Sequence, residues 1–186
     1  MEQKREVLLT LARASIAEAV KIPYQLDLEE MLAQNPWLKE EGASFVTLTT
    51  SGHDLRGCIG TITAHRKLYE DIIHNAKGAA MHDPRFTALS AKEFNDIKVE
   101  VSLLTEPKAL LYDSIETLKT KITVGRDGVI LKQGVYQATF LPQVWKQLST
   151  FELFFSHLCQ KAGMEADCLS TMPEISTYQV EEYEEM

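Results

Sequence analysis

Leu55-Arg56-Gly57-Cys58-Ile59-Gly60 is the stretch from which the fold is read. As a strand, its two-residue alternation puts Leu55, Gly57 and Ile59 on one face and Arg56, Cys58 and Gly60 on the other, with Arg56 and Cys58 about 7 Å apart. A thiol then stands beside a guanidinium. Glycine weakens a strand and adds no side chain, so Gly57 and Gly60 in one short run predict close access to the backbone. Upstream, Phe45 to Thr50 is β-branched and aromatic, as a strand is, and Ser51-Gly52-His53-Asp54 is turn chemistry. Leu55 to Ile62 is therefore the second arm of a hairpin.

Working outward, Leu8, Leu11, Ala12, Ile16 and Ala19 recur on one side of a helix over 7–20, which ends before Pro23. Asp27 caps a short helix carrying Leu28, Met31 and Leu32, closed by Pro36. After the hairpin, Leu68, Ile72, Ala76 and Ala79 predict an amphipathic helix that stops at Asp83-Pro84. Ile97 to Leu104 alternates, with Lys98, Glu100 and Ser102 opposite Ile97, Val99, Val101 and Leu103, the pattern of a half-buried strand. Tyr112-Asp113-Ser114 starts a short helix with Ile115 and Leu118. Lys121 to Val124 and Val129 to Lys132 flank Gly125-Arg126-Asp127-Gly128 as a second hairpin, and Tyr136 to Leu141 is a further strand. Pro142 suits the first position of a helix. Ser149-Thr150-Phe151-Glu152 has capping-box spacing before a helix that Gly163 ends, and Ile175 to Tyr183 is the last strand. Hairpin followed by helix recurs faintly, at 45–82 and 121–162. Strands paired in hairpins with helices between them predict an α+β fold with mixed or antiparallel sheets.

The 186 residues, 45% hydrophobic and 25% charged, suit one globular domain or two small interleaved lobes. A net charge of −8 disfavours nucleic acid as a partner. No apolar run reaches the ~20 residues that span a bilayer, and the start of the chain is unlike a signal peptide, so the expectation is a cytoplasmic protein. Cys58, Cys159 and Cys168 are an odd number at irregular spacings, which predicts reduced thiols. The histidines and cysteines form no metal-ligand spacing, and there is no phosphate loop or nucleophile elbow, so neither metal nor cofactor is expected.

Cys58 reads two ways. A neighbouring cation favours the thiolate and makes a nucleophile or carrier thiol, whereas free cysteine is also among the most buried, inert residue types. Glu100, in mid-strand, either faces solvent or, if covered, needs a partner such as Arg56 or Arg85; beside Cys58 it suits proton transfer. Asp83 and Arg85 sit where a helix stops, as a turn lock or as a guanidinium presented at a cleft.

The hexapeptide, with Asp83-Pro84-Arg85-Phe86, Val99-Glu100-Val101-Ser102-Leu103-Leu104, Phe140-Leu141-Pro142-Gln143-Val144 and Leu158-Cys159-Gln160-Lys161-Ala162-Gly163 following in order, resembles the AMMECR-one domain family, protein A of the AmmeMemoRadiSam system. That resemblance implies a larger lobe built from both chain ends, a smaller inserted lobe, two related repeats and a cleft near the cysteine loop. It implies a Memo-type protein and a radical SAM enzyme as partners. One departure is Cys168, where similar proteins often carry tryptophan. The expected site is Cys58 and Glu100 as catalytic groups, with Arg56, Gly57, Gly60, Asp83, Arg85 and Gln143 around a ligand. The alternative is a non-catalytic protein-binding module that uses the same motif.

Overall fold

The structure, a computed structural model, describes residues 2–186. In chain order the elements are α1 (Glu2–Ala19), α2 (Leu28–Gln34), β1 (Ala43–Thr50), β2 (Leu55–Gly60), α3 (Leu68–Met81), β3 (Ile97–Leu104), β4 (Lys108–Leu110), α4 (Ile115–Lys121), β5 (Gly128–Gln133), β6 (Tyr136–Phe140), α5 (Phe151–Lys161), β7 (Glu174–Tyr178) and β8 (Val180–Glu184). Helices and two antiparallel sheets make an α+β fold. The chain divides into two compact units, 1–104 with 181–186, and 105–180.

The first unit carries a sheet in the order β2-β1-β3-β8. Cross-strand pairing aligns Gly57 with Leu48 and Val99, and Ile59 with Val46 and Val101. This face packs with Leu8, Leu11 and Ile16 of α1 and Ile72 and Ala76 of α3 in one buried cluster. Gly57 is where α3 comes closest: a Cβ there would lie 2.2 Å from the Ala79 carbonyl oxygen. Arg13 closes the sheet's end. Its guanidinium donates to both carboxylate oxygens of Glu185 and to the carbonyls of Phe94 and Ile97, all at 2.6 Å, while Glu185 accepts the Val99 N–H at 2.9 Å.

The second unit carries a sheet in the order β4-β7-β5-β6 and an aromatic core in which Trp145 stacks on Phe154 at 3.6 Å. Three sequence expectations fail here. Lys121 to Val124 is not a hairpin arm: Ile122 caps α4, and the Thr123 N–H donates to the buried Asp127 carboxylate at 2.8 Å, so the segment turns instead of extending. Ile175 to Tyr183 is two strands, because Gln179 breaks the run by exchanging hydrogen bonds with Thr105. Cys159 and Cys168 are not reduced thiols but a disulfide; both are buried, with Cα atoms 5.8 Å apart, within bridging range. Cys58 is the free cysteine.

No helix is long and apolar enough to cross a membrane among the described residues.

Candidate functional site

On the sheet face opposite the helices, pairing sets Cys58, Thr47 and Glu100 in one row across β2, β1 and β3. The register follows from the strands' alternation, since each partner keeps its apolar neighbours on the helix side. Cys58 Sγ lies 3.3 Å from Thr47 Oγ1, and Ser102 Oγ donates to Glu100 Oε1 at 3.1 Å. Burial raises the Cys58 pKa above the ordinary value, and the negative charges of Glu100 and Asp83 push the same way. The Thr47 hydrogen bond and the Arg85 charge oppose them without prevailing. The resting group is therefore the thiol, which meets the Thr47 hydroxyl and feels the charges of Arg85, Glu100 and Asp83.

The turn after α3 fixes the backbone beneath that sulfur. Asp83 is buried; its Oδ2 accepts the Cys58 N–H at 2.9 Å and Arg85 Nη2 at 2.7 Å, and its Oδ1 accepts the Arg85 N–H and Nε, each at 3.0 Å. The outer edge of β2 is thus capped by a side chain where a further strand would otherwise pair. The Arg85 guanidinium and these N–H donors hold the Asp83 carboxyl well below its ordinary value. The turn-lock reading describes these contacts: Asp83 closes on Arg85 and on the Cys58 backbone.

Arg56 occupies a different position from the one expected. Its Nε donates to Glu93 Oε1 at 2.9 Å and its Nη1 to the Thr87 carbonyl at 3.0 Å, so Arg85 is the cation whose charge reaches the thiol. Phe86 lies between the two, with guanidinium carbons 5.9 and 5.5 Å from its ring centroid. The close approaches that the glycines predict are made by the protein itself: α3 at Gly57, and at Gly60 the Phe45 ring, whose Cγ a Cβ would meet at 2.1 Å. Gln143 belongs to the second unit, on the turn Pro142–Lys146.

Sequence reading missed Thr47, Glu93 and a buried network around Asp71. Asp71 is fully buried and accepts the Ser44 N–H (2.8 Å), Ser44 Oγ (2.7 Å), Asn75 Nδ2 (2.9 Å) and Thr61 Oγ1 (2.7 Å), with Arg66 Nε at 3.4 Å. It ties the start of β1 and the exit of β2 to α3. The signal was present in the sequence: Asp71 and Asn75, four apart, interrupt the apolar stripe of Leu68, Ile72, Ala76 and Ala79. No group of side chains suited to a metal occurs among the described residues.

Comparison with known proteins matches this chain along most of its length. A sequence model of the AMMECR1 family matches residues 9–183. The chain belongs to the AMMECR1 family. Its AMMECR1 relatives include a protein of Sulfolobus acidocaldarius, 39% identical over 87% of this chain and 72% of that one, and a protein of Saccharolobus solfataricus, 36% identical over 90% and 74%. The crystal structure of an uncharacterized protein from Pyrococcus horikoshii superposes with a TM-score of 0.84 at 35% identity, covering 96% of this chain and 89% of that one.

Proposed function

We propose that the protein acts through Cys58, as a thiol that captures or carries a small molecule or modifies a partner, with Glu100 as the base. In this step the S–H bond breaks, sulfur adds to the carbon of a carbonyl or other polarised double bond whose π pair moves onto its heteroatom, and the proton passes to the Glu100 carboxylate, from which that heteroatom then takes it up. The observation that supports it is the row itself, where a thiol, a hydroxyl and a carboxylate share one sheet face. Neighbouring strands lie about 4.8 Å apart, so Glu100 stands two spacings from Cys58, and the Thr47 hydroxyl between them is the natural proton relay. Arg85 and Asp83 position the Cys58 backbone, while Arg56 has a supporting role. The Memo-type protein and radical SAM enzyme that the family resemblance implied are the partners this reading proposes.

The experiment exploits the disulfide, which leaves Cys58 as the free thiol. Under non-reducing conditions, iodoacetamide should label Cys58 with a pH profile centred above the ordinary thiol value of 9.0, and Glu100→Gln should move that centre down. Intact-mass measurement of protein from its own host should show an adduct on Cys58. The docking-module reading has one observation in its favour: both glycines of the hexapeptide serve internal packing. An unmodified mass together with full cellular function of Cys58→Ala would leave only that reading.

A further inference from the structure

A hollow of about 600 Å3 in the first unit shares no residue with the Cys58 row; its walls include Lys4, Gln34, Asn35, Trp37, Glu40 and Glu41. Two carboxylates and three side-chain amides stand among its walls. Asn35 is only 7% exposed; its amide nitrogen donates to the Met31 carbonyl at 2.9 Å, and its Oδ1 has no protein partner among the described residues. No sealed side-chain polar atom among the described residues lacks a partner, so this oxygen is open to solvent on an otherwise buried side chain, and the hollow that Asn35 lines is the space for a ligand to meet it. Gln34 donates its amide nitrogen to Glu30 at 3.0 Å, and its carbonyl oxygen has no partner among the described residues. Glu40 and Glu41 enter no ion pair among the described residues.

Lys4 shows what chemistry the walls accept. Its Nζ lies 5.7 Å from the Trp37 ring centroid and 5.5 Å from that of Tyr183, and donates to Glu181 at 3.1 Å. Aromatic faces attract cations through their quadrupole, and here two rings and a carboxylate hold an ammonium at one end of the hollow. Glu181 balances that charge, so Glu40 and Glu41 add two negative charges that pair with no cation among the described residues.

We infer that this hollow binds an aliphatic ammonium group, carried by a free polyamine or by a lysine side chain of a peptide. The ammonium sits among the Asn35 Oδ1 and the Glu40 and Glu41 carboxylates, and its methylene stem lies along Trp37. The inference is independent of Cys58, because every group it uses lies outside that row.

Titration of the intact protein with spermidine, followed by calorimetry and by Trp37 fluorescence with Trp145 replaced by phenylalanine as background, tests it. Saturable one-to-one binding is expected. Replacing both carboxylates in Glu40→Gln/Glu41→Gln, a change confined to exposed side chains, should weaken binding about tenfold or more. Lys4→Gln removes the resident competitor and should tighten it. N-acetyl-lysine methylamide, run in parallel, separates the sources: binding there assigns a peptide lysine, and binding of spermidine alone assigns a free polyamine. Absence of saturable binding by both probes, or binding that the double carboxylate variant leaves unchanged, overturns the site.

Discussion

The two units solve one packing problem in the same way and then diverge. Each has a cross-strand pair in which an aromatic ring lies over a glycine: Phe45 over Gly60 in the first, and Tyr178 over Gly128 in the second, where a Cβ would meet the ring at 2.4 Å. Each also buries an aspartate that accepts a backbone N–H, Asp71 from Ser44 and Asp127 from Thr123. The divergence is in what surrounds these features. The second unit joins its two cysteines and fills its interior with Trp145, Phe151, Phe154 and Phe155. The first keeps its cysteine free on a row of polar groups and spends its charged side chains on holding that row in place. A shared scaffold device thus supports a chemically equipped face in one unit and an aromatic core in the other.

The sharpest way to break the parallel is through the glycines. Gly57→Ala drives a methyl into the Ala79 carbonyl, a backbone atom on a packed helix, and should cost about 3 kcal/mol or more. Gly128→Ala meets only a side chain, the Tyr178 ring, and should cost less; denaturant melts of both variants give the order, and equal losses would remove the distinction. Next come the aspartates. Asp71→Ala strands the Ser44 N–H in a buried site and takes the acceptor from the Ser44 and Thr61 hydroxyls, and should cost about 3 kcal/mol, whereas Asp127→Ala strands chiefly the Thr123 N–H and should cost about 1 to 2.

The smallest effect concerns pH. Glu93 is held down to about 2 from an ordinary 4.5, chiefly by its hydrogen bond from Arg56. A carboxyl whose folded pKa is depressed contributes stability above its unfolded value and loses it as pH falls through the folded one. The first unit should therefore weaken between about pH 4.5 and pH 2, with Asp83 acting in the same direction, and Glu93→Gln should flatten that slope. Urea midpoints measured down this range check it.

Local pattern carried much of this fold. The hairpin at β1 and β2 and the alternation of β3 were legible because hydrophobic period and turn residues agree there. Where the structure departed, the deciding partner was remote or unmarked. Arg56 pairs with Glu93, 37 positions away, instead of with the thiol two positions along. Gly125-Arg126-Asp127-Gly128 has a hairpin's composition, yet Asp127 turns it back on Thr123. Gln179 divides β7 from β8 with neither glycine nor proline to mark the break. The odd cysteine count concealed the disulfide, because the third thiol, Cys58, stays free.

The Arg13 clamp on Glu185 bears on how the chain comes into being. Residues 105–180 are contiguous, so every partner the second unit needs has been made by the time Val180 is added. The first unit waits longer: its flanking strand and the carboxylate that Arg13 grips are made only after residues 105–180, so on the ribosome the first unit is completed after the part inserted within it.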